Sequence, residues 1–140
     1  MLHEKLLEDI ARHVALLNEV ADIERIDWSN WQILYAILHA LQIHAQATIN
    51  YLLHTCSRML CTCETPISCV ECLKNNALIT DDEAILLKKM IRFRNILVHE
   101  YGSIDVERVK NILKERGYVK VLEMVKKIHE VLKTRGLLDP

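Results

Sequence analysis

A chain of 140 residues with a net charge of −1 has room for one domain with a real core. It lacks the bulk positive charge of a protein that grips nucleic acid over its whole surface. Hydrophobic residues make up 51% of it, against three glycines and two prolines, and so few turn-formers point to a mostly helical, all-α fold. His3, Glu4 and Lys5 precede any apolar run, unlike a secretory signal. The most apolar stretch, Ile33 to Leu53, is broken by His39, Gln42, His44, Gln46 and Asn50, so no membrane span is expected and a cytoplasmic protein is.

In chain order, Leu2, Leu6, Ile10, Val14, Leu17 and Ala21 recur every three or four positions, which predicts a helix over about 2–24 with one apolar stripe. Ser29-x-x-Gln32 reads as a capping box, with Trp28 and Ile33 as its hydrophobic staple, and starts a second helix at Asn30 that runs to about Arg58. That helix is apolar on more than one face, as befits a central helix or one covered by a second subunit. Residues 59–79 hold four of the five cysteines, Pro66 and Asn75-Asn76, and read as an irregular connection inside a single domain 1–140, with one short helix near 70–75. Thr80-x-x-Glu83 is a second capping box, supported by Asp81 and Asp82, and opens a helix from Asp81 to about Glu100 that Gly102 stops. Ser103 or Asp105 caps the next, about 105–115. Gly117 interrupts it, and a last helix covers about 118–134.

The end of the helix that begins at Asp81 carries the chemistry. The segment Arg92-Phe-Arg94-Asn95-Ile-Leu-Val-His99-Glu100-Tyr101-Gly102 places two arginines, a histidine and a tyrosine close together. Cutting RNA without a metal needs a base for the 2′-hydroxyl proton, a cation for the phosphate oxygens and help for the leaving 5′-oxygen. Histidine suits the first or third role. Arginine suits the second, because its planar fork pairs with phosphate oxygens and stays charged. Arg94 and Tyr101 lie only ~20° apart around a regular helix, whereas Arg94 and His99 lie about 140° apart. Joint action of Arg94 and His99 therefore needs a bent arginine, a loosened helix or two chains. Lys88, Lys89, Arg92 and Arg94 form a candidate basic patch. Asn50, His54 and Arg58 make a polar stripe on the second helix that could line the same cleft.

Arg94-Asn95-Ile-Leu-Val-His99-Glu100-Tyr101, followed by Ser103-Ile-Asp105-Val-Glu107, resembles the RNxxxHxY…ID block of HepT toxins, which belong to the HEPN superfamily of small helical ribonucleases. The run Ala36 to Ile43 is similar to that family's long second helix. The resemblance spans nearly the whole chain. It implies a HEPN-type bundle of about five helices, forming a homodimer whose two motifs face a shared cleft. The implied activity is metal-independent endoribonuclease cleavage with no cofactor required: Arg94 and His99 are catalytic, Asn95 and Tyr101 supporting, and Arg92, Lys88, Lys89 and Arg58 available to RNA. It further implies a type VII-like toxin–antitoxin pair in which an MNT-type nucleotidyltransferase antitoxin attaches AMP to Tyr101, placing charge and bulk where an RNA phosphate must sit. The alternative is a non-catalytic HEPN module that binds nucleotide or recruits a nucleotidyltransferase.

The cysteines depart from the family, whose connection here is usually poor in them. Cys61-x-Cys63 and Cys69-x-x-Cys72 admit structural zinc, two disulfides or free thiols, and a redox- or zinc-responsive protein is a third functional reading. The remaining histidines, His3, His13, His39, His44 and His129, read as surface or helix-face residues. His54, close to Cys56 in sequence, is a further candidate for a metal site.

Overall fold

The computed structural model describes residues 1–99 and 103–140, and among them every regular element is a helix. The elements are α1 (Leu2–Ala21), α2 (Trp31–Arg58), α3 (Pro66–Asn75), α4 (Asp81–His99), α5 (Val106–Glu115) and α6 (Gly117–Thr134). No helix among the described residues is long and apolar enough to cross a membrane.

α1 packs along α2 in the opposite direction: His3, at the start of α1, reaches Thr55 near the end of α2, with Nε2 3.2 Å from Oγ1. The expected stripe on α1 is its buried face, Leu6, Ile10, Val14 and Leu17. α4 packs on α2, α6 packs on α1 and also touches α4 and α2, and Leu38, Leu52, Leu87, Leu97, Val125 and Ile128 form a core from which water is essentially excluded. Truncating any of these leucines or Ile128 to alanine removes both apolar burial and packing, a loss of about 2–5 kcal/mol at such sites.

Helix boundaries follow their caps, and three differ from expectation. Asn30, not Ser29, caps α2: its Oδ1 accepts from the backbone N–H of Gln32 and Ile33, while Ser29 Oγ donates to the Asp27 carboxylate and is no longer available. The register of the expected staple is thereby lost. Trp28 packs on the core under the Lys110 ammonium, 5.6 Å from its ring. α3 is longer than the short helix expected because Thr65 and Ser68 close a reciprocal capping box around Pro66 at the first position. Thr80 and Glu83 form the second box as expected, Thr80 N–H donating to Glu83 Oε1 at 2.9 Å and Glu83 N–H to Thr80 Oγ1 at 3.2 Å. Of the two candidate caps for α5, Asp105 takes the role through Glu107 N–H. The break before α6 sits at Arg116, whose φ of 53° is left-handed, and not at Gly117, which is already helical. The strain of a left-handed non-glycine residue is offset by its guanidinium, which donates to Asn18 and Asp22 on the α1 side.

Of the reading of the lone histidines as surface or helix-face residues, His3 and His44 overturn the surface part: both sit on helices but are buried. They are 0% and 3% exposed. His3 joins a polar cluster under the chain ends: its Nδ1 lies 3.0 Å from Asp139 Oδ1, and Tyr51 Oη is 2.6 Å from His129 Nδ1. Burial lowers the pKa of His3, with His54 adding to the effect and Asp139 opposing it. Burial lowers His44 to about 4, against the pull of the Tyr118 backbone and with a further push from His13.

These shifts set an acid limit. Unfolded histidines titrate near 6.5, so between that value and about 4 the unfolded chain binds more protons than the folded one, and stability falls as pH drops through the window. From pH 7 to pH 5 the loss attached to His44 alone is about 2 kcal/mol. Urea midpoints at the two pH values should show it, and His44→Phe should remove most of the difference. An unchanged slope in that variant would place the acid sensitivity elsewhere.

Candidate functional site

The motif helix α4 is entered through the Thr80 box and carries acidic side chains in its first turn, Asp81, Asp82 and Glu83, which complement its dipole. Glu83 also receives the α6 ammonium of Lys127 at 2.7 Å from each carboxylate oxygen, which fixes the α4 start against α6. Leu87, Ile91 and Leu97 bury one face of α4, and that burial sets where the polar residues between them point.

Arg94 is half-buried and turns toward α2, where its Nη1 donates to Gln46 Oε1 at 3.0 Å. Gln46 in turn donates through Nε2 to Asn50 Oδ1 at 3.0 Å. The guanidinium is thus held by a polar ladder on α2, while its Nε is buried with no partner among the described residues. Asn95 and His99 are exposed, and α4 remains helical through His99. A regular helix keeps Arg94 and His99 about 140° apart, so a single chain does not aim both at one point without movement of the arginine. Tyr101, with Glu100 and the expected stop at Gly102, lies outside the described residues.

The other candidate RNA contacts are dispersed. Lys88 is paired with Glu71 of α3 and holds that carboxyl below its ordinary pKa. Lys89 and Arg92 line a cavity on another side of α4. Arg58, at the far end of α2, donates through Nε to the carbonyl of Leu137 at 3.0 Å. His54 lies beside His3, with ring centroids 4.3 Å apart, and its Nε2 is 3.7 Å from Asp139. It does not join the cysteines. Of the expected polar stripe on α2, only Asn50 belongs to the Arg94 ladder. Gln46 was missed, although it stands one turn before Asn50 on the same face and the spacing alone could have marked it.

The cysteines are paired as Cys61–Cys72 and Cys63–Cys69, with Cα–Cα separations of 6.6 and 5.3 Å. Cys56 is a buried free thiol whose pKa burial raises to about 11. Its sulfur lies within 4.8 Å of those of both pairs.

A small helical bundle with an arginine braced near the end of its motif helix defines a class of compact α-helical proteins whose polar site is carried on one exposed helix end. A family model described as "Ribonuclease HepT-like" matches residues 6–128, and the chain belongs to that family. Solved structures carry the same fold. Bacillus subtilis YutE, described as a cytosolic protein of unknown function, superposes with a TM-score of 0.81 at 19% identity, over 99% of this chain and 93% of its own. The toxin–antitoxin MntA–HpeT, in a mutant form, gives 0.79 at 19% identity, over 90% and 98%. A tri-AMPylated Shewanella oneidensis HEPN toxin in complex with its MNT antitoxin gives 0.76 at 21% identity, over 89% and 96%. No curated protein sequence matches the chain.

Proposed function

We propose that the chain is the toxin of a toxin–antitoxin pair, a metal-independent endoribonuclease that an MNT-type nucleotidyltransferase antitoxin silences by attaching AMP to Tyr101. The observation that carries the reading is Arg94, held by Gln46 within the region matched by the HepT-like model. A guanidinium fixed before substrate arrives needs little reorganisation as charge builds on the phosphate. In the reaction, a base takes the proton from the 2′-hydroxyl and the 2′-oxygen attacks phosphorus. The bond to the 5′-oxygen breaks, and that oxygen leaves with a proton. The products are a 2′,3′-cyclic phosphate and a 5′-hydroxyl. His99, exposed at the end of α4, is the residue for the proton steps, and Asn95 beside Arg94 is a further polar contact.

A homodimer answers the geometric difficulty, because the Arg94 of one chain and the His99 of another can share one phosphate across a common cleft. The exposed Trp31 and Tyr35 at the start of α2 supply apolar surface for the second copy. The reading is tested with purified protein, confirmed by intact mass to carry no AMP, incubated with total RNA and with tRNA in EDTA. Wild type should cleave and leave cyclic-phosphate ends. Equal cleavage by the double variant Arg94→Ala/His99→Ala would sink the assignment. Incubation with the cognate nucleotidyltransferase and ATP should add AMP to Tyr101, releasing pyrophosphate and stopping cleavage, whereas Tyr101→Phe should stay unmodified and active.

A further inference from the structure

A cavity of about 440 Å³ opens between α2, α4, α5 and α6, a size at which small-molecule sites begin. Leu41, Ala45, Leu86, Met90, Ile112 and Val121 wall it. Two residues of this lining carry a buried, unpaired polar atom. His44 Nε2 and Tyr118 Oη are buried without a hydrogen-bond partner among the described residues, on side chains that both line the cavity and whose residues are 3% and 4% exposed. Their rings meet edge to face, 6.3 Å between centroids. An unpaired buried polar atom costs stability, and two on one cavity call for an explanation. At the rim stand three exposed cations, Lys89, Arg92 and Arg108. Arg108 lies 5.4 Å over the Phe93 ring, and none of the three has an ion-pair partner among the described residues. Glu115 is the one acid on the rim.

We propose that this cavity binds a small planar ring compound that carries one anionic group. The apolar walls take the ring faces. Tyr118, which keeps its proton because burial raises its pKa, donates to an acceptor on the ring edge, and neutral His44 exchanges a second hydrogen bond there. The anionic group sits at the rim with Arg92, Arg108 and Lys89. An alkyl chain would fill the space and leave both buried polar atoms unpaired, so a plain fatty acid fits poorly. A free phosphate would use the rim and leave the cavity unfilled. Arg94 points about 160° away from Arg92 around α4, while His99 follows Arg92 about two turns on and about 20° round. Neither Arg94 nor His99 is among the residues that line the cavity, and its ligand is inferred without the ribonuclease reading.

Gly117 supplies a direct test. A Cβ there would meet only Leu86 Cδ1, at 3.8 Å, so Gly117→Leu starts a side chain from the cavity wall with no clash at its first atom. The probe is umbelliferyl phosphate, which has a ring carbonyl at one end and a phosphate at the other, titrated calorimetrically into the purified full chain. The expected result is saturable binding of one molecule per chain. It should be lost in Gly117→Leu, weakened roughly tenfold in Arg92→Ala/Arg108→Ala, and reduced in Tyr118→Phe to the level of 1-naphthyl phosphate, which lacks the carbonyl. No saturable binding, equal binding of inorganic phosphate, or undiminished binding in Gly117→Leu would each overturn the proposal. If Gly117→Leu does not fold, the Tyr118→Phe comparison decides alone: equal affinity with wild type overturns the proposal, and loss of the preference over 1-naphthyl phosphate supports it.

Discussion

Arg94→Ala should lower the single-turnover rate of RNA cleavage by roughly a thousandfold, the scale of loss when a preorganised donor to a developing anion is removed. Arg94→Lys should recover only part of this. An ammonium keeps the charge but not the planar fork that pairs with two phosphate oxygens. Gln46 acts through Arg94 and not on the substrate, since its Oε1 receives Arg94 Nη1 and its amide is steadied by Asn50. Gln46→Ala should therefore cost about tenfold in rate with little change in KM, because the guanidinium is retained but no longer held. Melting temperature separates this from unfolding. Arg94→Ala loses one part-buried hydrogen bond, to Gln46, and an Nε with no partner among the described residues, so the variant should melt within a few degrees of wild type. A Gln46→Ala enzyme as fast as wild type would remove the positioning role, and an Arg94→Ala enzyme of normal rate would remove the catalytic one.

The position of Arg94 shows what the sequence carries and what it withholds. The period of α1 and the Thr80–Glu83 box are local signals, set by residues three or four apart, and the structure reproduces them; for α5 it takes Asp105 from the two caps the sequence offered. The α2 start was displaced by one residue because Asn30 and Ser29 are both good caps, and the choice was made by Asp27, which captures Ser29. The break attributed to Gly117 falls on Arg116 because Asn18 and Asp22, nearly a hundred positions away, hold the guanidinium. Nothing local announces such a partner. For the same reason the burial of His3, which read as a surface or helix-face residue, was not legible: Asp139 and Thr55 hold it inside. The motif itself was legible as a string, but its neighbours were not. Lys88, Lys89, Arg92 and Arg94 look like one basic patch along the chain, yet packing sends them to Glu71, to the cavity and to Gln46.

Reduction should lower the melting temperature by about 10 °C, the largest stability effect expected of any single treatment near neutral pH. The Cys61–Cys72 bond closes a loop with a sequence separation of 11, and Cys63–Cys69 closes a smaller one inside it. Loop-closure entropy gives the outer bond about 3 kcal/mol, most of it exerted on the unfolded chain, and a domain of this size shifts by a few degrees per kcal/mol. The bonds matter here because the segment they staple is poorly supplied otherwise. α3 has only ten residues and three buried side chains, Cys69, Val70 and Leu73, so two of its anchors to the loop are the sulfurs themselves. Cys56, whose thiol burial keeps protonated near neutrality, does not compete, since exchange needs the thiolate. Cys61→Ser/Cys72→Ser should reproduce most of the loss, Cys56→Ser should not, and RNA cleavage below the transition should be unchanged because neither bond touches the Arg94 ladder. Titration of unfolded, unreduced protein should find one thiol per chain. Five thiols, with zinc released on unfolding, would replace the disulfides with a metal-held loop and move the stability loss from reductant to chelator.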